Sequence, residues 1–202
     1  MIGFDYFVSE VFEEGIKKKL GTRSFNKIKN RLLDKYGMSV TMAIRDFEKM
    51  DLVLREYFGP TTDKIIKDVL KQIISLNRED TTHPLTIKDD RLIDKILLSY
   101  GDSHKKEILD ILFEKPMIIL DLLKKTDIPQ ATVYRRFKEL IQDGLLVEKN
   151  YELTSDGKKI SVYAPLLEKM DLKISGSKTD LNIKIKEQFI KNSVYYNVFS
   201  KK

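Results

Sequence analysis

The stretch that decides the fold runs from Ile119 to Leu140 and reads ILDLLKKTDIPQATVYRRFKEL. Two helical patterns are separated in it by Thr-Asp-Ile-Pro, which signals a turn because proline disfavours helix in the residue before it. In the second pattern, apolar residues recur at intervals of three and four, as they do on the buried face of an amphipathic helix. The stretch predicts a helix near 119–126, a turn, and a helix over 129–143. The predicted buried face consists of Val133, Phe137, Leu140 and Ile141.

The residues on both sides of this stretch predict a further helix and two hairpins. A helix is predicted over 104–113, and it ends before Pro116. After Gly144, alternating segments at 145–153 and 159–166 flank an Asp-Gly pair, which is a strong hairpin signal. Apolar residues alternate again on both sides of Gly176, which predicts a second hairpin, and a last helix is predicted over 187–199.

Residues 103–167 resemble the winged helix-turn-helix of archaeal and bacterial transcriptional regulators, the broad ArsR/MarR-like group. The likeness rests on the turn, on TVYRRFKEL at 132–140, on DGLLV at 143–147 and on SDGKKISVY at 155–163. It implies that the third helix enters the major groove of DNA and that the hairpin, the wing, reaches an adjacent groove or the phosphate backbone. Two positions depart from the family pattern, since Leu123 replaces a small residue and Asp127 replaces a glycine in the turn.

Polar and cationic side chains occupy the positions of the third helix and the wing tip that face away from the predicted core. Arginine can pair bidentately with guanine and glutamine with adenine, while hydroxyl groups and lysines hold phosphates. The predicted DNA-binding residues are Gln130, Thr132, Tyr134, Arg135, Arg136, Lys138, Lys158 and Lys159. Contact with a protein by the same surface is the alternative, because a fold does not fix a function.

Net charge does not distinguish these possibilities. The 202-residue chain has a formal net charge of +6, yet residues 102–175 contain thirteen Lys and Arg against thirteen Asp and Glu. Any affinity of this segment for DNA must therefore come from where its cations lie. The run Lys17-Lys18-Lys19 with nearby Arg23 is interpreted as a solvated helix face, and contact with phosphates is the alternative.

The N-terminal third of the chain predicts helices that end at glycines. Gly21, Gly37 and Gly59 each follow an apolar run at helical spacing, as a C-terminal cap does. Four helices are predicted, over about 6–20, 24–36 and 40–58, and from Pro60 or Thr61 onward. Their interior is interpreted as core, with a ligand cavity as the alternative, and it includes Phe12, Phe25, Met42, Phe47 and Met50.

The sequence EYFGPTTDKIIKDVL at 56–70 resembles part of a small helical domain attached to winged helices in ammonia-oxidising archaea. The resemblance implies a domain that senses an unknown effector or mediates assembly. At the other end of the chain, residues 194–199 are unusually apolar for a terminus. We expect them to pack either on a partner subunit or on their own chain.

The predicted fold class is mainly α with small β: an N-terminal helical bundle, a winged helix-turn-helix and a C-terminal β-hairpin and helix extension. The helical domain covers 1–76, and a linker covers 77–90, where helical periodicity gives way to Thr, Asp and Pro. The winged helix domain covers 91–168 and begins with a short helix at about 91–100. Residues 169–202 form the extension, which is a possible dimerisation element.

Composition excludes several kinds of site. The chain has no cysteine, and therefore no disulfide and no thiolate ligand for a metal. His83 and His104 are the only histidines, and the carboxylates around them lack the spacing of a metal site. No nucleophile motif or phosphate-binding glycine loop occurs, so we expect no enzyme activity, no metal and no cofactor. The absence of an apolar run of about 18 residues and of a signal peptide pattern predicts a cytoplasmic protein without a membrane partner.

These observations favour a sequence-specific transcriptional regulator, of archaeal type, that binds double-stranded DNA as a homodimer. Two alternatives stay open. The first is an adaptor of the transcription or chromatin machinery that uses the winged helix to hold a protein. The second is a non-specific DNA-architectural protein, which would show affinity without preference for any sequence.

Overall fold

The computed structural model describes residues 3–45, 47–77, 85–154, 156–176, 178–191 and 193–200. In these ranges the chain is mainly helical with small antiparallel sheets, as predicted. The helices are α1 (Gly3–Tyr36), α2 (Val40–Arg45), α3 (Phe47–Phe58), α4 (Thr62–Ile73), α5 (Asp90–Gly101), α6 (Ser103–Glu114), α7 (Ile119–Leu123), α8 (Gln130–Gln142), α9 (Glu187–Ile190) and α10 (Val194–Ser200). The strands are β1 (Ile74–Leu76), β2 (Leu85–Ile87), β3 (Leu146–Leu153), β4 (Lys159–Pro165), β5 (Leu167–Ser175) and β6 (Lys178–Ile185).

The two helices predicted over 6–20 and 24–36 form one long element, α1, with a kink. Gly21 has φ 73° and ψ 160°, a conformation that other residues avoid, so the chain bends there without a connecting loop. The helix predicted over 40–58 divides into α2 and α3, and Asp46 between them lies outside the described residues. A short 3-10 turn at Gly59–Thr61 precedes α4.

The N-terminal helices pack around a shared apolar core, in which α1 contacts α2, α3 and α4. Phe12, Phe25, Phe47 and Met50 are buried there, as predicted. Met42 is different, because its side chain is 54% exposed and it does not belong to the core. Despite the length of α1, no helix among the described residues is both long enough and apolar enough to cross a bilayer.

A four-stranded antiparallel sheet in the order β1-β2-β6-β5 was not predicted as a unit. The predicted linker over 77–90 is corrected at its C-terminal end, because Leu85–Ile87 is the strand β2 and α5 begins at Asp90. Residues 78–84 of the predicted linker lie outside the described residues. Since β1 belongs to the predicted helical domain and β5 and β6 to the C-terminal part, the predicted domain boundaries cut through this sheet.

The C-terminal residues pack on the N-terminal helices of their own chain. The single helix predicted over 187–199 is two short helices, α9 and α10, and Asn192 between them lies outside the described residues. Tyr195 of α10 is fully buried, with its ring centroid 4.4 Å from those of Phe12 and Phe47. Its hydroxyl donates to the carbonyl of Ile44 at 3.2 Å. The apolar terminus was expected to pack either on a partner subunit or on its own chain, and the structure shows packing on its own chain.

Residues 103–167 contain the predicted helices and hairpin in the predicted order. The three helices α6, α7 and α8 are followed by the hairpin of β3 and β4. Met117 forms an antiparallel bridge with Tyr163, in which the two backbone N–H groups donate at 3.3 and 3.0 Å. The ring of Phe137 meets that of Tyr163 edge-on, with 5.0 Å between the centroids. Helix α8 is thus fixed on strand β4.

Candidate nucleic-acid interface

Helix α8 has one buried face and one polar face. Val133 and Leu140 are fully buried and Phe137 is 4% exposed, which confirms that these three residues face the core. Ile141 is partly buried and packs against the same core. The opposite stripe, at spacings of three and four, is exposed and consists of Gln130, Ala131, Tyr134, Arg135, Lys138 and Gln142. Four of the predicted DNA-binding residues therefore lie together on one helix face.

The cations of this stripe are not neutralised by the protein. Within the described ranges, neither Arg135 nor Lys138 has an ion pair or a hydrogen-bonding partner for its side chain, and both side chains are exposed. Tyr134, which directly precedes Arg135 and lies about one helical turn before Lys138, is 41% exposed. The elements that contact α8 extensively are α6 and β3, on its other sides. The stripe is consequently exposed to solvent on the side of α8 away from α6 and β3.

Arg136 does not belong to the exposed stripe, although it was predicted to bind DNA. Its guanidinium forms ion pairs with Asp102 at 2.7 Å and with Glu139 at 2.9 Å, and only 24% of the side chain is exposed. Asp102 is also the N-cap of α6, where its carboxylate accepts the backbone N–H of Lys105 at 2.9 Å. Arg136 thereby joins α8 to the start of α6. Contact of Arg136 with DNA stays a prediction.

Lys105 extends this contact into a network of charges between α6 and α8. Its ammonium lies 3.2 Å from the carboxylates of both Glu139 and Asp143. The backbone N–H of Lys105 and the charge of Arg136 lower the pKa of Asp102. Burial raises the pKa of Glu139, but hydrogen bonds from Arg136 and Lys105 outweigh it and the net pKa is lowered. The lowered pKa values of Asp102 and Glu139 favour the ionised carboxylates, whose ion pairs join α8 to α6.

The turn between α7 and α8 is closed by a threonine side chain. The hydroxyl of Thr126 accepts the backbone N–H of Ile128 at 3.1 Å and donates to Glu107 of α6. No described residue other than glycine has a left-handed φ, so Asp127 does not adopt the conformation for which the family uses glycine. Thr132, another predicted DNA-binding residue, is half-buried at the start of α8. It contributes less exposed surface than its neighbours on the stripe.

The hairpin of β3 and β4 projects from the body of the protein. Residues 148–153 of β3 are all exposed, with an irregularity in the register between Glu148 and Asn150. At the tip, the backbone N–H of Thr154 donates to the carbonyl of Lys158 at 2.9 Å, and Lys158 N–H donates back to the Thr154 hydroxyl at 3.0 Å. Ser155 lies outside the described residues. These two hydrogen bonds join the ends of the two strands at the tip.

Both lysines predicted to bind DNA from this hairpin lie at its tip. Lys158 is 80% exposed and forms an ion pair with Asp156 at 2.7 Å, which lowers the pKa of that carboxyl group. Lys159 lies over the ring of Tyr151, 4.4 Å from the centroid. Because exposed ion pairs are weak, Lys158 can exchange its carboxylate for a phosphate. The hairpin tip therefore presents two available positive charges.

Sequence reasoning omitted exposed lysines that adjoin these two surfaces. Lys125 lies in the turn immediately before α8, and Lys149 lies on the projecting part of β3. Lys124 is also exposed, but it forms an ion pair with Asp121 at 2.7 Å. Their positions in the sequence next to the turn and in the hairpin could have indicated these lysines. The periodicity of α8 could not, because it applies only to residues of that helix.

Two open clefts with mixed polar and apolar linings lie beside the kink of α1, in the region where an effector was predicted. Their volumes are about 720 and 770 Å³, and both are lined by Glu14, Lys17, Thr22 and Arg91. Arg91 of α5 forms ion pairs with Glu14 and, at 3.0 Å, with Asp89. Residues of the apolar core also line them, among them Val11 in both clefts and Phe25 in the larger one. Binding of an effector stays a prediction.

Comparison with known proteins gives no relative, since no protein-family model, curated protein or solved structure matches this chain. The part of the chain that the structure describes also holds no cluster of three His, Asp or Glu side chains suited to a metal ion. His83 lies outside the described residues. The basis for a function is therefore the arrangement of α8 and of the β3–β4 hairpin.

Proposed function

We propose that residues 103–167 form a winged helix-turn-helix with which the protein binds double-stranded DNA as a sequence-specific transcriptional regulator. In this proposal α8 is the recognition helix and the β3–β4 hairpin is the wing. The observation that carries it is the exposed stripe of α8, where Arg135 and Lys138 have no carboxylate partner among the described residues. The third cation of that helix, Arg136, is bound internally.

The exposed stripe suits the major groove, which is about 12 Å wide and admits an α-helix. Arg135 can donate two hydrogen bonds to a guanine, and Gln130 at the N-terminal end of the helix can pair with an adenine. Tyr134 and Lys138 flank Arg135 and can hold phosphates on either side. Lys158 and Lys159 at the wing tip add contacts to the backbone. The segment from 102 to 175 is neutral as a whole, but Arg135 and Lys138 of α8 and Lys159 of the wing tip form no ion pair with a described residue.

Replacing Arg135 by alanine is expected to weaken binding to the preferred site by about 1 to 3 kcal/mol, because a bidentate contact with one base is lost. Preference at that one base pair should disappear, while preference at the other positions is kept. The preferred site is first selected from a random DNA pool. Fluorescence anisotropy titrations then compare it with its single-base variants at constant salt.

Arg23→Ala is the matched control for Arg135→Ala. Arg23 is an exposed arginine on α1, outside the proposed interface. Its replacement by alanine removes the same charge from the protein as Arg135→Ala does. It should leave affinity and base preference as in the unmodified chain. An equal loss for both variants on every sequence would mean that only total charge matters. The proposed role of α8 in base recognition would then be wrong.

Replacing Lys158 by alanine is expected to weaken binding to all DNA sequences alike, because phosphates carry no sequence information. Loss of one phosphate contact should reduce the slope of log K against log salt concentration by about 0.9. Asp156→Asn should change affinity in the opposite direction, since it frees Lys158 from its ion pair. Titrations at several salt concentrations measure both slopes. A slope that does not change in Lys158→Ala removes the wing tip from the interface.

The adaptor function has one observation in its favour, the exposed apolar side chains on the projecting hairpin. Tyr151 is 51% and Leu153 is 66% exposed, and such side chains are suited to contact with a protein. The same titrations separate the possibilities. Absence of salt-dependent DNA binding would favour the adaptor. Equal affinity for the selected site and for random DNA would instead favour a non-specific architectural protein.

A further inference from the structure

Rows of apolar side chains run across the four-stranded sheet and emerge into solvent at its β5 edge. One row consists of Ile74, Ile87, Leu181 and Leu172, each opposite the next in the strand register. Their exposures are 0%, 2%, 0% and 38% in that order. The core-facing side of the sheet therefore does not end at the edge strand. It continues as an uncovered apolar surface.

Strand β5 is an open edge. Among the described residues, β6 is the one element that β5 contacts extensively, and residues 168–175 form no backbone hydrogen bond outside that ladder. Ile174, two residues beyond Leu172 on the same side, is 66% exposed. Proteins usually shorten or cover such edges, because unpaired backbone groups next to apolar side chains invite another strand. Here the regular edge from 169 to 175 is about 23 Å long.

We infer that β5 pairs antiparallel with β5 of a second copy of this chain, around a two-fold axis at Leu172. This register places Leu172 opposite Leu172 of the second copy and Met170 opposite its Ile174. On the other side of the sheet it places Asp171 opposite Lys173 of the second copy, and the symmetry repeats each pair. The two apolar surfaces become continuous, and the two sheets become one of eight strands.

Charge selects this register from its neighbours. An axis at Asp171 would set that carboxylate against itself and Lys169 against Lys173, while an axis at Lys173 would set two ammonium groups together. A register in which one strand slides by one residue relative to the other, so that Asp171 lies opposite Leu172, would place apolar side chains opposite charged ones. Within one chain, Lys173 already lies 3.4 Å from Asp171, but both side chains are exposed and can form the pairs between copies. Of these registers, the axis at Leu172 is the one that gives opposite charges on one side and apolar pairs on the other.

A groove next to the edge gives the second copy a place for its isoleucine. The groove has a volume of about 220 Å³. Its lining consists of the apolar and aromatic residues Tyr100, Leu109, Phe113, Leu167 and Met170 and the charged residues Asp110, Glu168 and Lys169. Phe113 is 51% exposed there. In the proposed register, Ile174 of the second copy lies opposite Met170 and hence beside this groove. Its burial would remove apolar surface of both copies from water.

The test measures the mass of the full chain in solution by sedimentation equilibrium over a range of concentrations. The unmodified chain should be a dimer at micromolar concentration. Ile174→Lys should raise the dissociation constant about a hundredfold, because each dimer loses two buried isoleucines. Leu33→Lys, at a 59% exposed apolar position on α1, is the matched control and should remain dimeric. A monomeric unmodified chain at tens of micromolar would overturn the inference.

Charge exchange tests the register itself. Asp171→Lys and Lys173→Asp should each weaken the dimer about tenfold or more, because like charges then face each other across the axis. An equimolar mixture of the two variants should dimerise again, since both charged pairs between one copy of each variant are then of opposite sign. A chain that carries both exchanges should also dimerise, for the same reason. A dimer that withstands both single exchanges, or that fails to return in the mixture, would overturn the proposed register. Circular dichroism confirms folding of each variant, and because the measured quantity is mass, the outcome is independent of DNA binding.

Discussion

Replacing Tyr195 by alanine is expected to lower the free energy of unfolding by about 3 to 5 kcal/mol, the range for removing a large aromatic side chain from a core. The ring is fully buried between Phe12 and Phe47, which belong to helices at the opposite end of the chain. Its removal would leave a cavity lined by aromatic rings that α1 and α3 cannot close without moving. Urea denaturation of the full chain, followed by circular dichroism, measures the change.

Two control variants separate three contributions to the free energy of unfolding: the packing of the Tyr195 ring, the hydrogen bond of its hydroxyl group, and the general effect of removing a tyrosine. Tyr195→Phe keeps the ring and removes only the hydrogen bond to Ile44, so it should lower the free energy of unfolding by about 0.5 to 1.5 kcal/mol. Tyr57→Ala removes a ring that is 45% exposed and should have a much smaller effect than Tyr195→Ala. Similar values for Tyr57→Ala and Tyr195→Ala would show that α10 is not docked on the N-terminal helices.

The elements of residues 103–167 could be predicted because their signals are local. The spacing of Val133, Phe137 and Leu140 defines one buried face without knowledge of what covers it, and all three residues are buried. Likewise, Asp156 and Gly157 mark the hairpin turn by their own conformational preferences. Gly157 has φ 77°, as such a turn requires. Neither inference depends on a distant part of the chain.

The four-stranded sheet could not be predicted in the same way, because its strands are short and their partners are distant. Strand β2 has three residues, too few to establish an alternating pattern, and it lies in a stretch that reads as a linker. Its neighbour β6 is about a hundred residues away, and the hydroxyl of Thr86 reaches the amide oxygen of Asn182 at 2.7 Å across a separation of 96 residues. Such pairing is decided by the fold as a whole.

Arg135 and Arg136 show how sharply the surroundings of a side chain change at the border of a buried helix face. They are identical residues side by side, yet a step of about 100° along the helix gives them different surroundings. Arg136 is three residues after Val133 and four before Leu140, so it lies at the border of the buried face, and this signal was present in the sequence. Its partner Asp102 could not be recognised in advance, because nothing local connects the N-cap of α6 with the middle of α8.

Replacing Gly144 by alanine is expected to lower the free energy of unfolding by about 3 kcal/mol, through two effects that add. Gly144 has φ 74°, where an alanine is strained by about 1 to 2 kcal/mol. A Cβ atom there would also lie 2.9 Å from the Cα atom of Phe7, a backbone atom of α1 that cannot rotate away. Overpacking of this kind typically destabilises by 1 to 3 kcal/mol. Chemical denaturation of the full chain measures the sum.

Gly157→Ala separates the two effects, because Gly157 has a similar φ of 77° but no atom within 4 Å of the position of a Cβ. It should show the conformational strain alone, about 1 to 2 kcal/mol. The excess in Gly144→Ala then reports the approach of α1 to the turn that follows α8. Equal losses in the two variants would mean that this approach does not exist in solution. A clear excess would mean that the backbone of α1 at Phe7 lies against the turn that follows α8 in solution as well.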